Sequence, residues 1–379
     1  MHIIRVSPAY FPHLYHGGSV VADYELDKAL VAEGHSVTVL TCKENVTEGN
    51  EELLSTRHKV LRYRSFGVKK YGISLGQIVG ILRQCTGDTG DKTLVWFGGI
   101  WSLSSIFGPI VCRFMSQRYV ITPHGVLQPT EINLKSGLIK KIVIKMFINS
   151  HLRNAYRVHF TVSSELEQTK VACKGEIYPI IFPLCFDLFR FDRKYEYLDR
   201  SVTEKVNISY IGRITPKKRL DLVVAALKIL PAEVKNMVRF TVIGPDEQSL
   251  WDPNSYTHNA IGVEIVYKGA LFGRDLVDAY HDADVLVLCS ESENFAISVV
   301  EAAYCYCVPL ISKYVGVGQY FSKDSAVFAE LDACDISKKI EQLVVRPEVR
   351  MKLGFAARLV SEQFSSRDLD SNYFEKLLD

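Results

Sequence analysis

The sequence predicts an α/β protein built from two doubly wound parallel-sheet domains. Three observations predict it. At 379 residues the chain is too long for one ordinary core. Its strand-length apolar runs are continuous rather than alternating, as parallel strands covered on both faces require, and Asp284 to Cys289 is the plainest case. Strand, glycine-containing loop and helix also recur in that order, once from Ile3 and again from Val206.

In chain order, Ile3 to Ser7 is the first strand and Pro8 to His16 a loop rich in Pro and Tyr. Gly17-Gly18-Ser19 opens a helix whose apolar face is Val21, Tyr24, Leu26, Leu30 and Val31. Gly34-His35 ends it, and Ser36 to Thr41 completes one βαβ unit. The paired glycines either make a tight turn or let backbone approach a ligand. No G-x-G-x-x-G follows the strand, so this is not the dinucleotide fingerprint. Residues 44–92 read as polar and interrupted, with a basic cluster from Arg57 to Lys70. Thr93 to Phe97 and Tyr119 to Thr122 are further strands. The second runs into Pro123-His124-Gly125, at the strand end where open α/β sheets bind ligands. A lone histidine is more often structural, so position alone leaves His124 open. His159 to Ser163 is another strand, and residues 188–204, charged and aromatic, read as a linker.

The second domain opens with the strand Val206 to Ile211 and the loop Gly212-Arg213-Ile214-Thr215-Pro216-Lys217-Lys218-Arg219. Cations on such a loop belong where a diphosphate would sit, or form a solvated basic turn if nothing anionic lies opposite. Phe240 to Ile243 before Gly244, and Val263 to Lys268 before Gly269, are two more strand–turn units. Residues 284–310 then give strand, acidic break and helix, with Asn294 as N-cap and Phe295 to Tyr306 as the helix. A helix N-terminus there offers backbone N–H groups to an anion. Glu293 and Glu301 stand eight residues apart, or about 12 Å along an ideal helix. That suits two separate hydroxyl clusters on a long ligand rather than one reacting bond; the plain alternative is a solvated loop and helix face.

Bulk properties narrow the classes. The chain starts directly on a strand, without a signal peptide, and no apolar run reaches membrane-spanning length. Nine scattered cysteines, with Cys305-x-Cys307 lacking a second pair, point to reduced thiols in a cytoplasmic protein. Charge is uneven: residues 1–190 carry 22 Lys and Arg against 15 Asp and Glu, and residues 191–379 carry 23 against 28. Residues 135–157 hold six Lys and Arg, no acidic residue, and many large apolar side chains. Such a segment either lies on an anionic membrane surface or is an ordinary helix with lysines in water.

Taken in order, Gly17-Gly18, Gly34-His35, Pro123-His124-Gly125, Gly212-Arg213-x4-Lys218 and Glu293-x7-Glu301 resemble the retaining GT-B glycosyltransferases of family 4 type, the glycosyl transferases group 1. The resemblance implies two Rossmann-like domains facing a central cleft. They would be an acceptor domain over 1–187, a linker over 188–204, a donor-nucleotide domain over 205–358, and a last helix over 359–379 packing back on the first domain. It implies transfer from a nucleoside-diphosphate sugar, UDP rather than GDP, to a glycan or lipid-linked glycan in surface polysaccharide synthesis. Arg213 and Lys218 would take the diphosphate, Glu293 the donor sugar, Glu301 the ribose, and His124 the transferred sugar near its 6-hydroxyl. Gly17, Gly18, Gly212, Gly244, Asn294, Phe295, Ala296 and Ile297 would complete the donor site. No cofactor, metal or nucleic acid enters, and the protein would work in the cytoplasm, peripherally at the membrane. A nucleotide-sugar 2-epimerase and an inactive nucleotide-sugar-binding protein are the rivals. The chain departs from the pattern in three places: Arg219 stands where the family has glycine, Tyr306 does so too with Pro309 one residue late behind it, and Pro183 to Asp187 keeps only the outer residues of Pro-Asn-Gly-x-Asp.

Overall fold

The computed structural model describes residues 1–12, 18–43, 55–66, 73–86, 92–133, 137–192, 205–251 and 261–366. The chain forms two compact units, one of Met1–Phe186 rejoined by the chain at Ser366, the other of Asp187–Ser365.

The first unit is a seven-stranded, all-parallel sheet: β1 (His2–Val6), β2 (Ser36–Lys43), β3 (His58–Arg64), β4 (Thr93–Gly98), β5 (Tyr119–Thr122), β6 (Arg157–Phe160) and β7 (Pro179–Ile181). Its order is β3-β2-β1-β4-β5-β6-β7, so the direction of winding reverses between β1 and β4. Ile4, Val6, Val95 and Phe97 enter one core layer while Ile3, Leu94 and Trp96 enter the other. That two-sided burial is why these strands read as unbroken apolar runs. Helix α1 (Gly18–Ala32) follows β1 as the βαβ reading requires.

Residues 44–92 contain more structure than their polarity suggests. β3 alternates charge and apolar side chains because it is the sheet's edge strand, half covered. Helices α2 (Leu75–Thr86) and α3 (Leu103–Phe114) were hidden by three glycines and by Pro109 inside α3. Helix α4 (Ser163–Ala172) follows β6. The basic stretch is one helical run with a π turn inside it: Gly137–Val143, the π turn Ile144–Ile148 and Asn149–Asn154 succeed one another without a break, and Lys135 lies outside the described residues.

The second unit is a six-stranded parallel sheet of β8 (Val206–Ile211), β9 (Val238–Ile243), β10 (Glu264–Gly269), β11 (Val285–Leu288), β12 (Val308–Ser312) and β13 (Val327–Ala329). Its order is β10-β9-β8-β11-β12-β13, with the reversal between β8 and β11. Its longer helices are α5 (Leu220–Lys228), α6 (Gly273–Asp282), α7 (Ile297–Tyr304), α8 (Ala333–Val345) and α9 (Pro347–Glu362).

Several expected boundaries move. The linker reading of 188–204 fails at its start, where Leu188–Phe191 forms a 3-10 turn inside the second unit with Phe191 edge-on to Tyr280 at 5.5 Å. Aromatic residues there serve burial, not a flexible crossing. Helix α9 likewise belongs to the second unit; Ser366 N–H then bonds the Phe186 carbonyl at 2.8 Å, and residues 367–379 lie outside the described residues.

Helix α7 is shorter than 295–306, and Asn294 is not its N-cap. Ala296 occupies that position with φ 66° and no side-chain cap. At the other end the N–H groups of Tyr306 and Cys307 bond the Ala303 and Ala302 carbonyls, each at 3.0 Å, closing a Schellman motif. Its left-handed residue is Tyr306, φ 62°, with its ring edge-on to Phe355 at 5.3 Å. A tyrosine thus does the conformational work usually left to glycine.

Candidate functional site

In the second unit the loops after β8 and β11 leave adjacent strands at the reversal of strand order, the place where such sheets hold ligands. The first loop carries Gly212, Arg213 and Lys218; the second carries Glu293 to Ala296 and leads into α7 at Ile297. Lys218 Nζ lies 2.9 Å from a Glu293 carboxylate oxygen, both side chains mostly covered. Burial pushes the Glu293 carboxyl up, but Lys218, Lys217 and Arg213 outweigh it and hold the group below its ordinary range. Three cations therefore act on one carboxylate.

Glycine at 244 is a steric necessity. A Cβ there would stand 1.9 Å from the Gly212 carbonyl oxygen, so the loop after β9 meets the loop after β8 backbone to backbone. Arg219, where the family has glycine, takes the left-handed conformation itself at φ 50°. Its guanidinium does not join Arg213 and Lys218 around Glu293. It donates instead to Asp221 and, at 2.6 Å, to Glu291. These residues line a cavity of about 420 Å³ with Ile214, Thr215, Pro216 and Leu250.

Glu301 sits in α7, buried, and is already engaged within the second unit. One carboxylate oxygen accepts from Arg190 and the other from the Tyr280 hydroxyl at 2.6 Å. Sequence reasoning missed both partners: Arg190 fell in the supposed linker, and Tyr280 was not singled out. Phe295 and Ala296 are buried, while Asn294 and Ile297 are half-buried. Residues Gly212, Arg213, Lys218, Gly244 and Glu293 thus lie on the loops after β8, β9 and β11, and Glu301 forms its own contact group farther along the helix.

The remaining predicted residues belong to the first unit. Gly17 lies outside the described residues, and Gly18 is the exposed first residue of α1. His124 follows β5 with φ 56°, its Nε2 3.3 Å from Asp23 Oδ1. Asp23, which the sequence reading passed over, is buried beside Arg5; burial raises its carboxyl, and Arg5 with His124 and Ser7 brings it below the ordinary value.

Known proteins with this architecture complete the comparison. In solved structures, Anabaena HepE in complex with UDP and glucose superposes over 100% of this chain and 99% of its own, with a TM-score of 0.76 at 15% identity. Sucrose-phosphate synthase from Thermosynechococcus elongatus does so over 100% and 99%, with a TM-score of 0.76 at 19% identity. The fold is GT-B. Within this GT-B chain, residues 199–360 match the family model of glycosyl transferases group 1. D-inositol 3-phosphate glycosyltransferase of Saccharomonospora viridis is 30% identical over 176 residues, 43% of this chain and 40% of its own length. Sulfoquinovosyl transferase SQD2 of Arabidopsis thaliana is 28% identical over 175 residues, 45% of this chain and 32% of its own. The chain thus spans about two fifths or less of these curated relatives. Every predicted site residue except Gly17, Gly18 and His124 falls inside the matched segment.

Proposed function

We propose that the protein is a retaining, metal-independent sugar transferase of family 4 type. It takes a sugar from a nucleoside diphosphate, UDP in preference to GDP, and passes it to a glycan or lipid-linked glycan acceptor in surface polysaccharide synthesis. The observation that carries this reading is the set of Arg213, Lys217 and Lys218 acting on Glu293 across the reversal point of the second sheet. An incoming diphosphate meets fixed cations there, and its charge grows as the glycosidic bond breaks, which is when preorganised cations contribute most. In this reading Glu293 exchanges part of its pairing with Lys218 for donor-sugar hydroxyls, Glu301 accepts from the ribose, and His124 meets the transferred sugar. The relatives' printed activities, a D-inositol 3-phosphate glycosyltransferase and a sulfoquinovosyl transferase among them, agree on sugar transfer.

The test is a panel of nucleotide sugars scored by melting temperature, since a ligand that binds only the folded state stabilises it by RT ln(1+[L]/Kd). UDP-sugars should raise the midpoint and GDP-sugars should not; anomeric NMR of the product should show retention, and EDTA should leave turnover unchanged. A product formed without acceptor and epimerised at C2 would instead establish the isomerase. Binding without turnover under any acceptor would establish the inactive protein.

A cytoplasmic protein docked peripherally on an anionic membrane face is the second part of the proposal. No helix among the described residues is long and apolar enough to cross a membrane. However, Leu138, Ile139, Ile142 and Met146 are exposed between Lys140, Lys141 and Lys145, with Phe114 also exposed. Lysines within an uncovered apolar face suit a negatively charged lipid surface. Co-sedimentation should rise with the phosphatidylglycerol content of vesicles and fall with salt; equal binding to neutral vesicles would remove this part.

A further inference from the structure

The first unit contains a buried ion network that the donor-site reading does not use. Arg5, fully buried in an otherwise apolar strand, bonds Asp27 through Nε at 3.0 Å and Nη2 at 2.5 Å, and lies over the Trp96 ring at 4.5 Å. Its charge is therefore already matched, in a bidentate pair. Yet a second buried carboxylate, Asp23, stands 3.6 Å from Arg5 Nη1. Burying two carboxylates against one guanidinium is costly unless the second serves another group. Besides the Ser7 hydroxyl, His124 faces Asp23, Nε2 to Oδ1 at 3.3 Å, and of the two it is the one on a candidate-site turn.

The surroundings fit that service. A Cβ at Gly98 would fall 2.3 Å from Asp23 Oδ2, so β4 gives way for this carboxylate. In the His124–Gly125 turn His124 has φ 56°, a conformation that a residue other than glycine keeps only when the neighbourhood holds it. Glu165 pins its backbone: Oε1 accepts from Gly125 N–H at 2.6 Å, and Oε2 accepts from Thr161 N–H at 3.0 Å. Glu165 fixes the main chain and Asp23 the ring.

We infer that Asp23, anchored by Arg5, is a positioning residue for His124: it accepts the Nε2 proton, sets the ring's rotamer and leaves Nδ1 to meet the sugar. The inference rests on the reading above for what Nδ1 meets, but not for the Asp23–His124 bond itself.

The test uses the full chain labelled with 15N-histidine, His124 being assigned by the signal lost in His124→Gln. The native spectrum should show an Nε2-bound proton protected from exchange, and Asp23→Ala should abolish that protection while Arg5–Asp27 keeps the fold. In turnover of the sugar nucleotide that raises the melting temperature, Asp23→Ala should lower kcat about 100-fold, the cost of a misplaced contact group. KM for that donor should stay within about twofold, because the donor loops hold the diphosphate and the His124 contact tells in the transition state. A purely structural role would shift melting without this kcat–KM split. An Nδ1–H tautomer in the native protein, or protection unchanged in Asp23→Ala, overturns the inference whatever the donor result. Should Asp23→Ala not fold, the native spectrum and Asp23→Asn still decide it. If no sugar nucleotide shifts melting, the transferase reading fails separately and the spectrum continues to judge the bond.

Discussion

Arg5–Asp27 in the first unit and Lys218–Glu293 in the second are both ion pairs beside the point where a parallel sheet reverses its strand order. They differ in what they leave over. Arg5 and Asp27 are fully covered and further tied by Tyr10 and Asp23, so nothing can exchange with them. Lys218 and Glu293 retain 12% and 18% side-chain exposure and sit in loops, which leaves a route for a ligand to replace one partner by the other. A closed pair organises a scaffold; a pair left ajar can trade partners.

That contrast can be broken most forcefully at Arg5. Arg5→Met should strand Asp23 and Asp27 as buried, uncompensated carboxylates and cost roughly 3 to 5 kcal/mol in urea unfolding. Lys218→Ala should cost well under that in stability. Equal losses from the two would mean the second pair is structural too. Next in size is Arg213→Ala, expected to lower turnover about 10²- to 10³-fold, like loss of one preorganised charge-stabilising donor, with the unfolding midpoint nearly unchanged. Unaltered turnover would detach Arg213 from the leaving group.

Acid sharpens the comparison further. His159 is buried between Thr122 and the Phe182 carbonyl, and burial lowers its pKa to about 3. Because the unfolded chain binds that proton first, first-unit stability should fall as pH drops from about 6.5 toward 3, by at most about 1.4 kcal/mol per pH unit. Glu293 has a lowered value, so its contribution is present above the ordinary 4.5 and lost only as pH falls through its lower native value. His159→Gln should flatten the upper part of the acid profile; if it does not, another group dominates. The smallest effects belong to two of the left-handed residues, Arg219 and Tyr306. Arg219→Gly should gain up to about 1 kcal/mol from relieved strain, less whatever its surface ion pairs contribute. Tyr306→Gly should stay within about 0.5 kcal/mol of native, since lost packing on Phe355 offsets the relief. Thermal melts measure both.

The strands were legible because two-sided burial writes itself as runs such as Val285–Leu288, and the loop cations because two charges close together after such a run have few other reasons to be there. Edge strand β3 and helix α3 were not, one because half its residues face water, the other because Pro109 masks its period. Arg190 and Tyr280 reach Glu301 from 111 and 21 residues away, a contact no local pattern encodes. Arg5 did leave a trace: a guanidinium within Ile3-Ile4-Arg5-Val6 demands a buried carboxylate, and Asp23 and Asp27, four apart on α1, present two on one helix face.

Glu301 carries a last consequence. An ionised carboxylate has about four lone-pair directions, and Arg190 and Tyr280 occupy one on each oxygen. Under the proposed function, a ribose diol would therefore meet a carboxylate whose two oxygens are already held by side chains of the same unit, so the acid would arrive already aimed.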